Sequence, residues 1–531
     1  MNEMTKDKKY KKDNLKKQIC LTVAGSDSGC GAGIQADIKT FFSLNCYGVS
    51  ILTAITAQNN QKVLAIESIS HDLFNKQFEA IADDLMPKVI KSGMLANKTQ
   101  IEILSQFLDK NPEIPYICDP VMIATSGDQL VSPSVIDTFK EKLFTRASLI
   151  TPNLDEAIFL SDGFFTKEQI KTHQDLKSLA IYLVKTYHLN AILLKGGHFL
   201  TDDKQAIDYF YNGKNEFFLE SKRIVLNNSK SDVHGSGCTL SAAITAFLTQ
   251  DFDLENSVIL AKAYITESIA KTNTHPHGNG ASPIIQSHFP SNKNYFPRIF
   301  KNKISNLSFR PLNHIGLYPI VDSSDWVLFL AKNGIKTIQL RIKDKDLSLI
   351  EKEIKQAIIY QKKYDLQLFI NDYYELALKY HAFGIHLGHE DLNFLLDKNP
   401  SVLEKISQNN LYLGLSTHDY YELSYALNIN PSYVALGPIY ETTTKKMRFL
   451  AQGIEKLNIW QSLSNVPLVA IGGINLSNIE IILATKVNGI AILSLITKAE
   501  NPKIMIDTLK KLFDDKAIKS IKNLKEVPNY A

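Results

Sequence analysis

The chain has 531 residues, 44% hydrophobic and 21% charged, with a formal net charge of +4 at pH 7. Its length exceeds one ordinary core, so two or more domains are expected, and so small a charge without a long basic stripe excludes nucleic-acid binding as the main task. The cysteines Cys20, Cys30, Cys46, Cys118 and Cys238 are widely spaced with no CxxC pair, so neither a disulfide framework nor a zinc site is indicated and a reducing, cytoplasmic compartment is expected.

Residues 1–18, MNEMTKDKKYKKDNLKKQ, are lysine-rich with no apolar segment behind them. They read as a solvated tail, not a secretory signal. No apolar run approaches the roughly 20 residues of a membrane span.

From Ile19 to Phe289, apolar runs such as ICLTVAG, PYICDPVM, SLITPN and AILLKGG alternate with helical stretches. Each ends in glycine or polar residues, the pattern of parallel strands that carry chemistry at their carboxyl ends. The first turn, AGSDSGCGAGIQAD, leads to Asp37 just inside a helix. Its carboxylate could accept hydrogen bonds from a heterocycle, or simply be solvated. Gln58, in TAITAQNN, offers an amide suited to a pyrimidine edge. Asn153 and Glu156, in TPNLDEA, have the spacing of a helix N-cap with a first-turn acid. Lys195 leads LLKGGH out of a strand, where a nucleotide could lie.

The segment VHGSGCTLSAAITAFL, Val233 to Leu248, puts a glycine-rich turn before a helix. Its apolar face is expected to comprise Leu240, Ile244, Phe247 and Leu248. Backbone N–H groups of Gly235, Ser236 and Gly237, with the helix dipole, can hold a phosphate. Cys238 then stands where a transferring phosphoryl group meets its acceptor. No GxxxxGK[ST] sequence occurs, which excludes an ordinary P-loop.

Taken in order, AGSDSGCGAGIQADIKTF, TAITAQNN, KSGML, CDPVMIATSGD, TPNLDEA, LLKGGH and HGSGCTLSAA resemble the ribokinase superfamily, most closely hydroxymethylpyrimidine/phosphomethylpyrimidine kinase of thiamine synthesis. The resemblance covers residues 19–289. It implies a ribokinase-like α/β domain with ATP as phosphoryl donor. It also implies Cys238 as the base, Asp37 and Gln58 at the pyrimidine, and Asn153, Glu156 and Lys195 in the Mg–ATP region. A helix N-terminus is expected to lower the thiol pKa. Cys30 departs from the glycine that many relatives carry. Pyridoxal kinase, which also acts on a hydroxymethyl heteroaromatic, is the alternative for this half.

Residues 290–312 contain prolines, basic residues and asparagines, and read as a linker. Eight strand candidates follow: GLYPIVD, TIQLRIK, QLFIND, GIHLG, LYLGLST, YVALGPIY, PLVAIGG and GIAILSLI. Helical segments lie between most of them, which suggests a compact (β/α)8 TIM barrel over 313–512 with a tail at 513–531. Barrel chemistry sits at strand carboxyl ends, and those ends are polar. They carry Gln339, Arg341 and Lys343; Asn371 and Asp372; Asp391; Ser416; Thr442, Thr444 and Lys445; Gly472 and Gly473; and Leu493 with Ser494. Arg341, Lys343 and Lys445 with Asp372 and Asp391 suit a multiply charged anion, the two carboxylates holding Mg²⁺. The last two strand ends suit a separate phosphate. His386 and His418 read as structural.

The motifs IQLRIKDK, LFINDY, GIHLGHEDL, LGLSTHD, ALGPIYETTTKK, AIGGI and AILSLIT resemble thiamine-phosphate synthase. That implies joining of an aminopyrimidine diphosphate to a thiazole phosphate with loss of pyrophosphate. Gln339, Arg341, Lys343, Asn371, Ser416 and Lys445 would hold the pyrimidine diphosphate. Thr442, Thr444, Gly472, Gly473, Leu493 and Ser494 would hold the thiazole phosphate. Ile342 and His389 depart from the usual glutamate and glutamine. The first half makes what the second consumes. A non-catalytic precursor sensor is the alternative, but it should have lost some of these charged residues, and none is missing. The expected partners are small molecules, with neither nucleic acid nor membrane, and a homo-oligomer is left open.

Overall fold

The computed structural model describes residues 17–121, 133–197, 204–225, 233–275, 277–278, 280–302, 307–312, 314–343, 345–441 and 450–525. The chain divides into two compact units, with the boundary between Lys301 and Asn302.

The first unit is built on a mixed sheet of ten strands. Its middle is parallel: β1 (Ile19–Asp27) lies between β2 (Tyr47–Gln58) and β4 (Val89–Ser92), and β5 (Tyr116–Cys118), β6 (Leu149–Ile150) and β7 (Ile192–Leu194) continue from β4. The chain winds one way from β1 to β2 and the other way from β4 onward, so a crevice opens at the carboxyl ends between β1 and β4. The flanking strands β3 (Val63–Ser68), β8 (Gln205–Tyr211) and β9 (Glu216–Lys222) are antiparallel. A short pair, β10 (Val233–His234) and β11 (Ser282–Pro283), lies outside this sheet.

The expected linker at 290–312 is largely structural. Arg298–Phe300 forms β12, antiparallel to β9, with Ile299 and Phe300 buried. An edge strand with unpaired backbone groups favours such a partner, and two buried apolar side chains outweigh the loop-like composition around them. Farther on, Phe309 and Leu312 are buried in the second unit, their N–H groups donating to Asn430 and Ser432 carbonyls over 3.1 and 3.2 Å.

The helix Ser236–Thr249 differs from the one-sided expectation. Ala242, Ala243, Ile244, Ala246 and Phe247 are all fully buried. It packs against the helices Gly33–Ser43 and Leu254–Thr274 and against β1 and β4, and its small residues permit that close approach.

In the second unit, β13 (Gly316–Val321), β14 (Thr337–Leu340), β15 (Gln367–Asn371), β16 (Gly384–Leu387), β17 (Tyr412–Thr417), β18 (Tyr433–Leu436), β19 (Leu468–Ile471) and β20 (Gly489–Ile492) close into a parallel barrel. The eight strands occupy the eight runs read from the sequence. Tyr318, Phe369 and Tyr433 fill the interior edge to face. Glycines opposite them make the room: a Cβ at Gly414 would lie 2.1 Å from the Tyr433 ring, and one at Gly384 would lie 2.5 Å from Phe369. The tail expected from 513 is instead continuous with the helix Pro502–Lys525, which Ile506 and Leu509 anchor by burial. Among the described residues no helix is long and apolar enough to cross a membrane.

Candidate active sites

In the first unit two glycine-rich turns meet back to back. Gly235 has φ 84°, and a Cβ there would lie 1.8 Å from the Gly31 carbonyl oxygen, so only glycine fits. At Gly237 a Cβ would stand 3.2 Å from Lys195 Nζ, which places the ammonium beside this glycine turn. Lys195 is held there by Asp119, to which it donates over 3.0 Å. Asp119 also accepts from Thr151 Oγ1 at 2.9 Å and Ser241 Oγ at 3.1 Å. Burial would raise its pKa, but Lys195 and Lys91 outweigh burial and hold it below the usual carboxylate range. Asn153 and Glu156 form a reciprocal cap, with Glu156 N–H donating to Asn153 Oδ1 and Asn153 N–H to Glu156 Oε2, over 2.8 and 2.7 Å. Asn153 also bridges to Lys195. Burial pushes Glu156 up to about 7, against Lys195 and with Asp119.

Cys238 is partly buried, and its thiol is pushed up to about 11, not lowered as expected. The dense surroundings of the sulfur raise it most. Lys91 and the Gly33 N–H pull the other way, and the Asp37 and Asp119 carboxylates add to the rise. A helix N-terminus is therefore outweighed by desolvation and two nearby anions. Asp37 does not stand at an open edge. It is fully enclosed, taking Lys91 Nζ on both oxygens at 2.7 Å and Thr22 Oγ1 at 2.6 Å. Its carboxylate is committed to the ion pair behind Cys238. Burial alone would lower Lys91, but Asp37, Cys238 and Asp119 together outweigh it and raise the ammonium's pKa.

Gln58 lies at the end of β2 with Nε2 3.5 Å from His234 Nε2, which is 3.0 Å from Asp27 Oδ2. Asp27 in turn accepts the N–H groups of Gly29, Gly31 and Ala32 at 2.7 to 3.0 Å. It thus shapes the first glycine turn and ties it to the residue preceding Gly235. Asp27, Lys91, Asp119 and His234 were absent from the sequence-predicted set. Each sits in or beside one of its motifs (GSDSG, KSGML, CDPVM, VHGSG), and a charge at a strand end was the available signal.

In the second unit Gln339 and Asn371 lie at the ends of neighbouring β14 and β15 and Ser416 near the end of β17, the first two buried. Asp372 follows β15 in a left-handed conformation, φ 69°, which Asp tolerates. Its carboxylate accepts a hydrogen bond from Lys343. Asp391 lies in the first turn of the helix His389–Lys398 after β16. Arg341 follows β14, its N–H donating to the Val321 carbonyl over 2.7 Å. Gly472 and Gly473, φ 96° and 67°, turn the chain after β19, where a Cβ would strike Pro438 or the Tyr440 and Glu441 carbonyls. Leu493 caps the short helix Ser494–Thr497. Thr442, Thr444 and Lys445 lie outside the described residues.

Among the described residues no group of three or more His, Cys, Asp or Glu side chains is arranged to hold a metal. Two carboxylates after adjacent strands nevertheless suit Mg²⁺, which takes one or two protein carboxylates and completes its shell with water and substrate phosphate. His386 is buried between Tyr433 and Ser416, and burial pushes its pKa down to about 4, with Asp372 opposing and Arg341 and His418 adding. His418 accepts a Lys456 hydrogen bond on its carbonyl and pairs with Glu422 at 2.7 Å.

Residues 27–284 match the phosphomethylpyrimidine kinase family and residues 317–496 match the thiamine monophosphate synthase family. The thiamine biosynthetic bifunctional enzyme of Arabidopsis thaliana, a chloroplastic protein, is 31% identical over 89% of this chain and 89% of its own length. The chain belongs to the bifunctional thiamine biosynthetic enzymes. Its kinase half is 37% identical to the hydroxymethylpyrimidine/phosphomethylpyrimidine kinase of Rhizobium meliloti, over 51% of this chain and 97% of that one. Its synthase half is 47% identical to thiamine-phosphate synthase of Proteus mirabilis, over 38% of this chain and 91% of that one. The chain is thus a fusion of an ATP-dependent kinase with a thiamine-phosphate synthase.

Proposed function

We propose that the kinase half phosphorylates 4-amino-5-hydroxymethyl-2-methylpyrimidine twice, and that the synthase half joins the diphosphate to thiazole phosphate. The observation that carries this reading is that each half gathers, at its own strand ends, both an anion-holding group and a reacting or charge-stabilising group. In the kinase half Gly235, Ser236 and Gly237 N–H groups receive the migrating phosphoryl group. Lys195 covers its charge, and Cys238 takes the hydroxyl proton. A loose phosphoryl-transfer transition state needs that proton removed only late, so the small thiolate fraction of Cys238, which the Lys91 ammonium stabilises, is the base that takes it. Gln58 meets the pyrimidine, while Asn153 and Glu156 shape the nucleotide side.

In the synthase half Arg341, Lys343 and Lys445 hold the diphosphate and stabilise the charge that grows as pyrophosphate leaves. Asn371, Gln339 and Ser416 orient the pyrimidine, whose electron-rich ring supports the carbon that loses pyrophosphate. Thr442, Thr444, Gly472, Gly473, Leu493 and Ser494 hold the thiazole phosphate. Mg²⁺, held by Asp372 and Asp391, would supply further neutralisation of the leaving group. The lack of paired cysteines supports a cytoplasmic setting. Full-length protein given the pyrimidine, thiazole phosphate, ATP and Mg²⁺ should form thiamine phosphate. Given the pyrimidine diphosphate, it should do so without ATP. Phosphorylation of pyridoxal in preference to the pyrimidine, or a diphosphate that is never consumed, would overturn the reading.

A further inference from the structure

Beneath the mouth of the barrel five polar side chains form one hydrogen-bonded chain. Gln339 Nε2 donates to the Tyr318 hydroxyl over 3.1 Å. The Tyr318 and Tyr433 hydroxyls are 2.8 Å apart, and Tyr433 is 2.8 Å from His386 Nδ1. His386 Nε2 is 2.9 Å from Ser416 Oγ. All but Ser416 are buried. The two ends are the strand-end residues assigned above to the pyrimidine, and the three in the middle have no part in that assignment.

Such a chain has a direction. A hydroxyl has one proton, and a neutral imidazole has one donor and one acceptor nitrogen. An amide nitrogen can only donate. Tyr318 therefore receives from Gln339 and passes its own proton to Tyr433. Tyr433 donates to Nδ1, the imidazole carries its proton on Nε2, and Nε2 donates to Ser416 Oγ. The Ser416 proton is left to point into the mouth. Gln339, with its nitrogen turned to Tyr318, presents its carbonyl oxygen. Reversing the links would strand the Tyr318 proton, on a residue 1% exposed, unless the Gln339 amide also turned over. The hydrogen-bonding characters of Gln339 and Ser416 are therefore coupled: acceptor and donor, or both exchanged.

We propose that Tyr318, Tyr433 and His386 are positioning residues that couple Gln339 to Ser416, holding them in the observed polarity with Gln339 as acceptor and Ser416 as donor, so that the synthase half selects an aminopyrimidine over a pyrimidinone. An exocyclic amine donates to Gln339 and a ring nitrogen accepts from Ser416. A pyrimidinone sets its carbonyl against the Gln339 oxygen. The inference rests on the pyrimidine reading of Gln339 and Ser416.

The test uses full-length protein with thiazole phosphate and either the 4-aminopyrimidine diphosphate or its 4-oxo analogue, comparing the ratio of kcat/KM values. Tyr433→Phe keeps the ring and cuts the chain, and Tyr318→Phe cuts it one link away should the first variant fold poorly. Either should lower the amino-to-oxo ratio roughly tenfold or more. Loss of activity towards both substrates alike, with the ratio unchanged, overturns the proposal, because packing damage does not discriminate between them. Ser416→Ala separates the layers. If it lowers the ratio while both tyrosine variants do not, the pyrimidine reading stands and the coupling falls. If it changes neither ratio nor KM, the pyrimidine reading falls and takes the proposal with it.

Discussion

The two halves prepare for anionic substrates in opposite ways. In the kinase half the charges are sealed in and already matched. Lys91 and Asp37 are 0% and 0% exposed, and Lys195 and Asp119 are 14% and 1% exposed. In the synthase half the equivalent pair is at the rim, Lys343 at 44% and Asp372 at 19%, while the buried layer beneath is a neutral hydrogen-bonded chain. Buried pairs need no reorganisation when charge moves, but breaking one leaves an uncompensated ion. Rim charges are screened until substrate excludes water. A site that transfers a phosphoryl group to a small alcohol thus holds its field in advance. A site that releases pyrophosphate keeps its cations free to exchange partners.

The comparison is broken most sharply by removing one reacting group from each half. Cys238→Ala should lower pyrimidine phosphorylation on the order of 10³-fold or more while the synthase still consumes supplied diphosphate. Asp372→Ala or Asp391→Ala should do the reverse on the same scale, the protein accumulating diphosphate from ATP and pyrimidine. Product analysis by chromatography decides both. Near-normal kinase turnover in the cysteine variant would leave that thiol a packing residue.

A somewhat smaller effect separates the buried layers. Burial pushes His386 down to about 4, from the roughly 6.5 of a free imidazole. The unfolded chain binds the proton more readily, so the stabilisation is full above about pH 6.5 and is lost as pH falls towards 4. That amounts to about 3 kcal/mol. Both tryptophans, Trp326 and Trp460, belong to the synthase half, so urea denaturation followed by their fluorescence reads this half alone. The midpoint should fall between pH 6.5 and 4.5, and less so in His386→Asn. Equal pH dependence in the two proteins would remove His386 as the cause.

The pH dependence of rate should sharpen the contrast further. With Cys238 near 11, its thiolate fraction rises about tenfold per pH unit below that value. Kinase initial rates should climb from pH 7 to 9, and synthase rates measured with supplied diphosphate should not climb in parallel. A flat kinase profile would show that deprotonation of Cys238 does not limit the reaction. The smallest change is expected from severing the chain between Lys301 and Asn302. Each piece should remain folded and keep its own activity, because each has its own sheet or barrel and its own set of strand-end residues. Loss of either activity on separation would mean that the halves share more than a peptide bond.

The sequence by itself determined the two fold types, all eight barrel strands and the motifs that surround both sites. These rest on local patterns: apolar runs of strand length, glycine at turns, and polar residues where strands end. It misjudged Arg298–Phe300, because a three-residue strand earns its burial only from the sheet edge it covers. It did not show that Asp37 is enclosed against Lys91 and Thr22, or that burial pushes the Cys238 thiol up. Only the tertiary structure carries this, since the partners of these groups are far away in the chain. Lys91 is 54 residues from Asp37, Lys195 is 76 from Asp119, and His234 is 207 from Asp27. The Gln339–Tyr318–Tyr433–His386–Ser416 chain draws on five strands in the same way. A residue type states what a side chain can donate, accept or ionise, whereas desolvation and partner distance fix which of these it does, and both are set by packing between segments that no local pattern connects.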